Sequence, residues 1–262
     1  MIMGRRKFFL EEAVAALRKE GIQAAAFVGD VRSEENAEAA VAATVSAFGS
    51  LSILVNGAAG NFLANASDLK TKGFKTVMDI DAVGVFNMCR AAFPALKATG
   101  GDDGASIVNV SATLHYAASR FQVHASAAKA AIDSITRTLA LEWGEYGIRV
   151  NGVAPGPIAG TPGMAKLAPG SGGATELVRS VREKIPVGRL GETRDIGMAC
   201  VFLCSPAAAS YVSGHTLCVD GGEWLCRPAL MRPEQVRMVS RAIEASSRAI
   251  GVGGGGGARS KL

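Results

Sequence analysis

The stretch L-S-I-L-V-N-G-A-A-G, residues 51–60, sets the frame for the rest of the chain. It is apolar almost without a break and then runs into polar and small residues, as a strand buried on both faces does. Four further runs share the pattern: I-Q-A-A-A-F-V-G-D (22–30), A-S-I-V-N-V-S-A (105–112), I-R-V-N-G-V-A-P-G (148–156) and T-L-C-V-D-G-G (216–222). Helical patterns alternate with them, at 7–19, 33–48, 68–98, 121–143, 173–184 and 193–204. Ser33, with Asn36 three residues on, and Thr193, before Arg194-Asp195, read as capping residues. Such alternation predicts an α/β fold whose parallel sheet is covered by helices on both faces, with ligands beyond the carboxyl ends of the strands.

With 262 residues, 48% of them hydrophobic and 19% charged, the chain has the make-up of a globular domain. No apolar run approaches the roughly 18 residues that span a bilayer, and the N-terminus lacks a signal-peptide pattern. The expectation is a protein that is neither membrane-spanning nor secreted. The net charge of +5 has a local origin: residues 227–262 hold seven basic residues (Arg227, Arg232, Arg237, Arg241, Arg248, Arg259, Lys261) against Glu234 and Glu244. The body is therefore neutral on balance, without the basic stripe that nucleic-acid binding demands. The five cysteines are scattered and form no C-x-x-C pair, so they read as free thiols in a reducing compartment rather than as a metal site. Residues 1–226 form the expected domain, and 227–262 a basic tail with a flexible linker at Gly253 to Gly257.

The opening M-I-M-G-R-R reads as the end of a strand that passes directly into a helix. No earlier strand and no G-x-x-x-G-x-G loop precede it, so the fold is expected without its first strand and without that loop's backbone N–H groups for a pyrophosphate.

Taken in order, N-G-A-A-G (56–60), the lysine helix at 121–143, G-I-R-V-N-G-V-A-P-G-P-I (147–158) and Y-V-S-G-H-T-L-C-V-D-G-G (211–222) resemble the short-chain dehydrogenase/reductase family. The resemblance covers nearly the whole chain and implies a Rossmann-like doubly wound sheet. Within the family, A-G-N-F (59–62), D-I-D-A-V-G-V-F-N (79–87), S-A-T-L-H-Y (111–116), V-H-A-S-A-A-K (123–129) and P-G-P-I-A-G-T (155–161) look like its peroxisomal 2,4-dienoyl-CoA reductase branch. Ser260-Lys261-Leu262 reads as a peroxisomal address that an import receptor would take. The resemblance further implies NADPH as cofactor, an acyl-CoA substrate and a homo-oligomer. Two alternatives stay open: another peroxisomal enoyl-CoA or ketoacyl-CoA reductase, and a truncated non-catalytic isoform.

On the helix 68–98, Phe74, Val77, Met78, Gly84, Val85 and Met88 share the face of Asp81, so its carboxylate is expected to point inward. Asp79 falls on the side of Lys72 and Lys75 and is expected to be solvated. Burial raises a carboxyl's pKa towards the range useful for proton transfer, and the resemblance makes Asp81 and Lys129 the catalytic pair, with Lys129 also on the nicotinamide ribose. Four residues before Lys129, where most of the family keeps a catalytic tyrosine, stands Ala125. His115, Tyr116 and His124 are expected to pack or to line the rim rather than replace that tyrosine.

Arg5 and Arg6 are expected at the 2′-phosphate of NADPH, since cations at a helix start oppose its dipole unless an anion answers them. The resemblance assigns Asp30 and Val31 to the adenine and Asn56, Ala58, Pro155, Gly156, Pro157, Ile158 and Thr161 to the rest of the dinucleotide. It assigns Arg32 and Lys166 to the CoA phosphates, and Asn61 and Phe62 to the acyl pocket.

Overall fold

A computed structural model describes residues 1–101, 104–161, 163–164, 184–226 and 231–252. Lys166, nearly all of the helix expected at 173–184, the glycine run and Ser260-Lys261-Leu262 lie outside the described residues. The chain divides into two compact units, Met1–Leu225 and Cys226–Leu262.

In the first unit, β1 (Ile2–Gly4), α1 (Lys7–Lys19), β2 (Ala26–Val28), α2 (Glu34–Phe48) and β3 (Ile53–Asn56) lead to a long broken helix. That helix comprises α3 (Thr71–Met78), a single π-helical turn (Asp79–Val83) and α4 (Gly84–Thr99). After it come β4 (Ala105–Val110), α5 (Val123–Trp143), β5 (Ile148–Pro155), α6 (Thr193–Cys204), α7 (Pro206–Ala209) and β6 (Thr216–Val219). All strand pairs are parallel, in two sheets of order β1-β2 and β3-β4-β5-β6. Among the described residues, β1 and β3 are not hydrogen-bonded to each other or to a strand between them.

The strands are shorter than their apolar runs, because the runs continue past the last ladder bond into the loops at the carboxyl ends. Side chains alternate along each strand. Thus Ile107 and Val150 join Leu54, Met88, Cys89, Leu96 and Ile132 in a core on one face. Val108 and Val153 meet Ala199 and Leu203 of α6 on the other. With both faces covered, the carboxyl ends are left as the open rim.

One local expectation is corrected. Ser33 caps α2, its Oγ accepting the Asn36 N–H at 3.1 Å, but Thr193 is the first helical residue rather than a cap. Glu192 takes the cap in a reciprocal capping box with Asp195, because only a side chain one turn ahead of residue 195 reaches its amide. The basic tail also contains a helix, α8 (Pro233–Val252). Pro233 suits a first helical position, and the Gln235 side chain accepts the Arg232 N–H at 2.9 Å. Val236, Val239 and Ile243 repeat at helical spacing. Among the described residues no helix is long and apolar enough to cross a membrane.

Candidate active site

Asp81 lies in the π-helical turn that joins α3 to α4 and has no exposed surface. Val77, Val85 and Met88 are buried around it, as the apolar face requires. Asp79 points outward and pairs with Lys75 at 2.7 Å. The π turn was not legible as such. It widens the helix by one residue, and such bulges recur at functional sites. One carboxylate oxygen of Asp81, Oδ1, accepts the Gly60 N–H at 2.6 Å, which ties the loop after β3 to the turn.

Lys129 is one turn after Ala125 on α5, and both are buried. Its Nζ donates to the Val110 carbonyl at 3.0 Å, fixing it at the carboxyl end of β4. The same Nζ stands 3.2 Å from Asp81 Oδ2 as a buried ion pair, outside the alignment of a well-formed hydrogen bond. Burial pushes the Asp81 carboxyl up from its ordinary value. The Lys129 charge, the Gly60 N–H and, in smaller measure, His124 oppose that rise. The result is a shielded acid with one oxygen committed to the backbone and the other open to a hydrogen bond.

A cleft of about 290 Å³ opens where both sheets end, lined among others by Gly4, Arg5, Arg6, Asp30, Val31, Ala58 and Ile80. The Asp30 carboxylate is already engaged: Arg32 holds it in a double contact as close as 2.6 Å and draws its pKa down to about 2. Arg32 is thus paired with Asp30, with its side chain still partly exposed. Val31 is locked in place by two partners. Its carbonyl accepts from Asn87 at 3.0 Å, and a Cβ on Gly84 would lie only 2.6 Å from its side chain. Guanidinium groups beside a cleft floored by small backbone-exposing residues fit the phosphate-bearing end of a nicotinamide dinucleotide.

Asn56 turns its side-chain N–H groups into the sheet, to Asn109 at 2.8 Å and Cys89 at 3.3 Å. Pro155 ends β5, and Gly156 fits because a Cβ there would sit 2.6 Å from Asp220. Pro157 and Ile158 are pinned by pairing with Gly191. The Thr161 hydroxyl bonds Ile158 and the Met164 N–H. This run forms one edge of the rim, apart from the Asp81–Lys129 pair.

Asn61 and Phe62 follow Gly60 on the loop tied to Asp81. The Phe62 ring stacks on His124 with centroids 4.3 Å apart and fits over Gly73, where a Cβ would be 3.2 Å away. His115 and Tyr116 instead turn to the buried Asp133 on α5, at 2.9 and 3.0 Å. His124 packs, as expected, but with both ring nitrogens buried and without hydrogen-bond partners. No pattern in the sequence distinguishes that from an ordinary core histidine.

Residues 3–223 match the family model described as enoyl-(acyl carrier protein) reductase. The chain is 57% identical over 258 residues to the peroxisomal 2,4-dienoyl-CoA reductase, (3E)-enoyl-CoA-producing, of Arabidopsis thaliana, covering 96% of this chain and 85% of the relative. It is 47% identical over 196 residues to the protein of the same name from Danio rerio, covering 75% of this chain and 63% of that relative. Among solved structures, it resembles a gluconate 5-dehydrogenase from Burkholderia cenocepacia J2315 in complex with NADP and tartrate. The TM-score is 0.77 at 26% identity, over 86% of this chain and 85% of the other.

Proposed function

The chain belongs to the short-chain dehydrogenase/reductase family, and on that premise we propose that it reduces 2,4-dienoyl-CoA thioesters to 3-enoyl-CoA with NADPH. The setting is the peroxisomal oxidation of unsaturated fatty acids. The observation that carries this reading is the buried Asp81–Lys129 pair beside Ala125. A ketone reductase must protonate an alkoxide, the task of a tyrosine, and residue 125 has no group to do it. A conjugated thioester needs its proton on carbon instead, which a shielded carboxyl and a water can deliver.

The cofactor is a nicotinamide dinucleotide. When bound it supplies a hydride to the far end of the conjugated system, so that negative charge gathers on the thioester oxygen. Arg5 and Arg6 hold the 2′-phosphate that distinguishes NADPH, and Val31 and Ala58 flank the adenosine end. Lys129 orients the ribose and its cation stabilises the charge developing nearby. Asp81 Oδ2, which Lys129 pairs with only outside hydrogen-bond alignment, polarises the water that protonates the carbon next to the thioester. Asn61 and Phe62 shape the acyl pocket, with Lys166 and Arg32 at the CoA phosphates.

The test follows NADPH oxidation by the purified chain with 2,4-hexadienoyl-CoA, crotonyl-CoA and acetoacetyl-CoA. Turnover is expected with the dienoyl thioester and its loss in Asp81→Ala. Equal turnover of the ketoacyl substrate, or an unaffected Asp81→Ala, would overturn the assignment.

A further inference from the structure

Six buried side-chain polar atoms among the described residues have no hydrogen-bond partner, and five of them lie on three segments joined to one another by direct contacts. They are Asn61 Oδ1, Asp81 Oδ2, Gln122 Nε2 and the two ring nitrogens of His124. The sixth, His115 Nδ1, belongs to the Asp133 network. The loop after β3, the π turn and the start of α5 supply the five, and the Gly60–Asp81 hydrogen bond and Phe62–His124 stack join those elements.

Buried polar groups are satisfied in the great majority of proteins, so a cluster of exceptions marks a place built for a ligand or ordered water. The imidazole makes the case sharpest. It carries one donor and one acceptor when neutral and two donors when protonated, and here it makes neither kind of bond. Packing alone would be met more cheaply by a leucine or phenylalanine. The chemistry of the set is mixed, with a carboxylate oxygen and an amide oxygen that accept and an amide nitrogen that donates. Water, which donates twice and accepts twice, matches that mixture.

One wall of this place is removable. His124 is fully buried because the Phe62 ring lies across it, while Phe62 itself is 38% exposed and belongs to a loop. An acyl chain that takes the position of the Phe62 ring would uncover the imidazole beside Asp81.

We propose that His124 is a positioning residue for the reduction, whose ring nitrogen and Asp81 Oδ2 together hold the water that protonates the substrate. This rests on the reading of Asp81 given above. The balance is simple. Hydride from NADPH forms the C–H bond at the distal carbon, and a proton from the held water forms the one next to the thioester. The hydroxide left behind regains a proton from solvent through Asp81. His124 transfers nothing; it fixes where the water stands.

The test compares His124→Leu, His124→Gln and Asp81→Ala with the wild type, using NADPH and 2,4-hexadienoyl-CoA. His124→Leu is expected to lower kcat by about 100-fold, the scale of a misplaced proton donor. Its KM and its NADPH affinity by fluorescence titration stay within about threefold. His124→Gln, which keeps a donor and an acceptor, is expected to recover kcat to within about tenfold of wild type. It also serves as the informative variant if the leucine form does not fold. Full kcat in His124→Leu with an inactive Asp81→Ala overturns the role of His124 and leaves that of Asp81. Equal losses in both His124 variants, with KM raised, show a packing role and also overturn it. Full turnover in Asp81→Ala removes the reading on which it rests.

Discussion

Lys129 Nζ stands 3.2 Å from Asp81 Oδ2, with both side chains shut away from solvent. Each charge is the other's main compensation for the water it has lost, so neither residue can be altered without changing the chemistry of its partner.

Replacing Lys129 by methionine keeps the length of the side chain and removes the cation. Its charge holds the raised Asp81 carboxyl down, so without it the carboxyl moves further up. The expected outcome is a higher titration midpoint for Asp81, followed by its carboxyl infrared band, together with a loss of turnover of about 100-fold or more.

The raised carboxyl also has a signature in stability. Its folded pKa lies above the unfolded one, so the native state binds the proton more tightly. Stability from this group is fully present below the unfolded value and is lost as pH rises through the folded one. Asp81→Asn removes that dependence while adding a constant offset for the unpaired Lys129. Urea denaturation of both proteins between about pH 4 and pH 7 should show the wild type losing ground to Asp81→Asn as pH rises.

Gly84 gives Val31 its place, since an added Cβ would lie 2.6 Å from a Val31 methyl. Gly84→Ala must push back the turn between β2 and α2. A loss of about 1–3 kcal/mol is expected, as for other overpacked sites, with weaker NADPH binding in the same variant. Urea midpoints and fluorescence titration measure the two effects.

Arg5 and Arg6 should discriminate between the two nicotinamide cofactors. The double variant Arg5→Ala/Arg6→Ala is expected to weaken NADPH binding by about 10- to 100-fold, the worth of one charge-assisted hydrogen bond or more. NADH binding should be nearly unchanged. Similar weakening for both would mean that the guanidinium groups hold no 2′-phosphate.

The inward turn of Asp81 was legible because helical periodicity is a property of side-chain spacing: Val77, Val85 and Met88 mark the buried face whatever the backbone does. The π turn was not, since it depends on which carbonyl each amide selects, and D-I-D-A-V carries no mark of that choice. Strand positions were readable from apolar runs, yet their ends were overrun because Gly57, Ala58 and Ala59 continue the run after the ladder stops at Asn56. Asn56 itself was assigned to the cofactor by resemblance, and only the contacts to Asn109 and Cys89 show its side-chain N–H groups donated within the sheet. His124 was expected to pack or to line the rim, and its unsatisfied burial was not legible, because hydrogen bonding across three chain segments has no local trace. In the tail, the helical spacing of Val236, Val239 and Ile243 is interleaved with Arg237 and Arg241.

The cleft proposed for the cofactor has banks in two different sheets: Gly4 ends β1, Arg5 follows it, Asp30 and Val31 follow β2, and Ala58 follows β3. A two-stranded parallel sheet is weak by itself, and across this seam the described strands are joined by packing rather than by ladder hydrogen bonds, so opening is expected to begin there. A dinucleotide that grips both banks shifts that opening by mass action, by about 2.7 kcal/mol at a hundred times its Kd. Cofactor supply would then govern the lifetime of the fold as well as the rate of the reaction, and depletion of the reductant would expose the protein to unfolding from the side where the reductant enters.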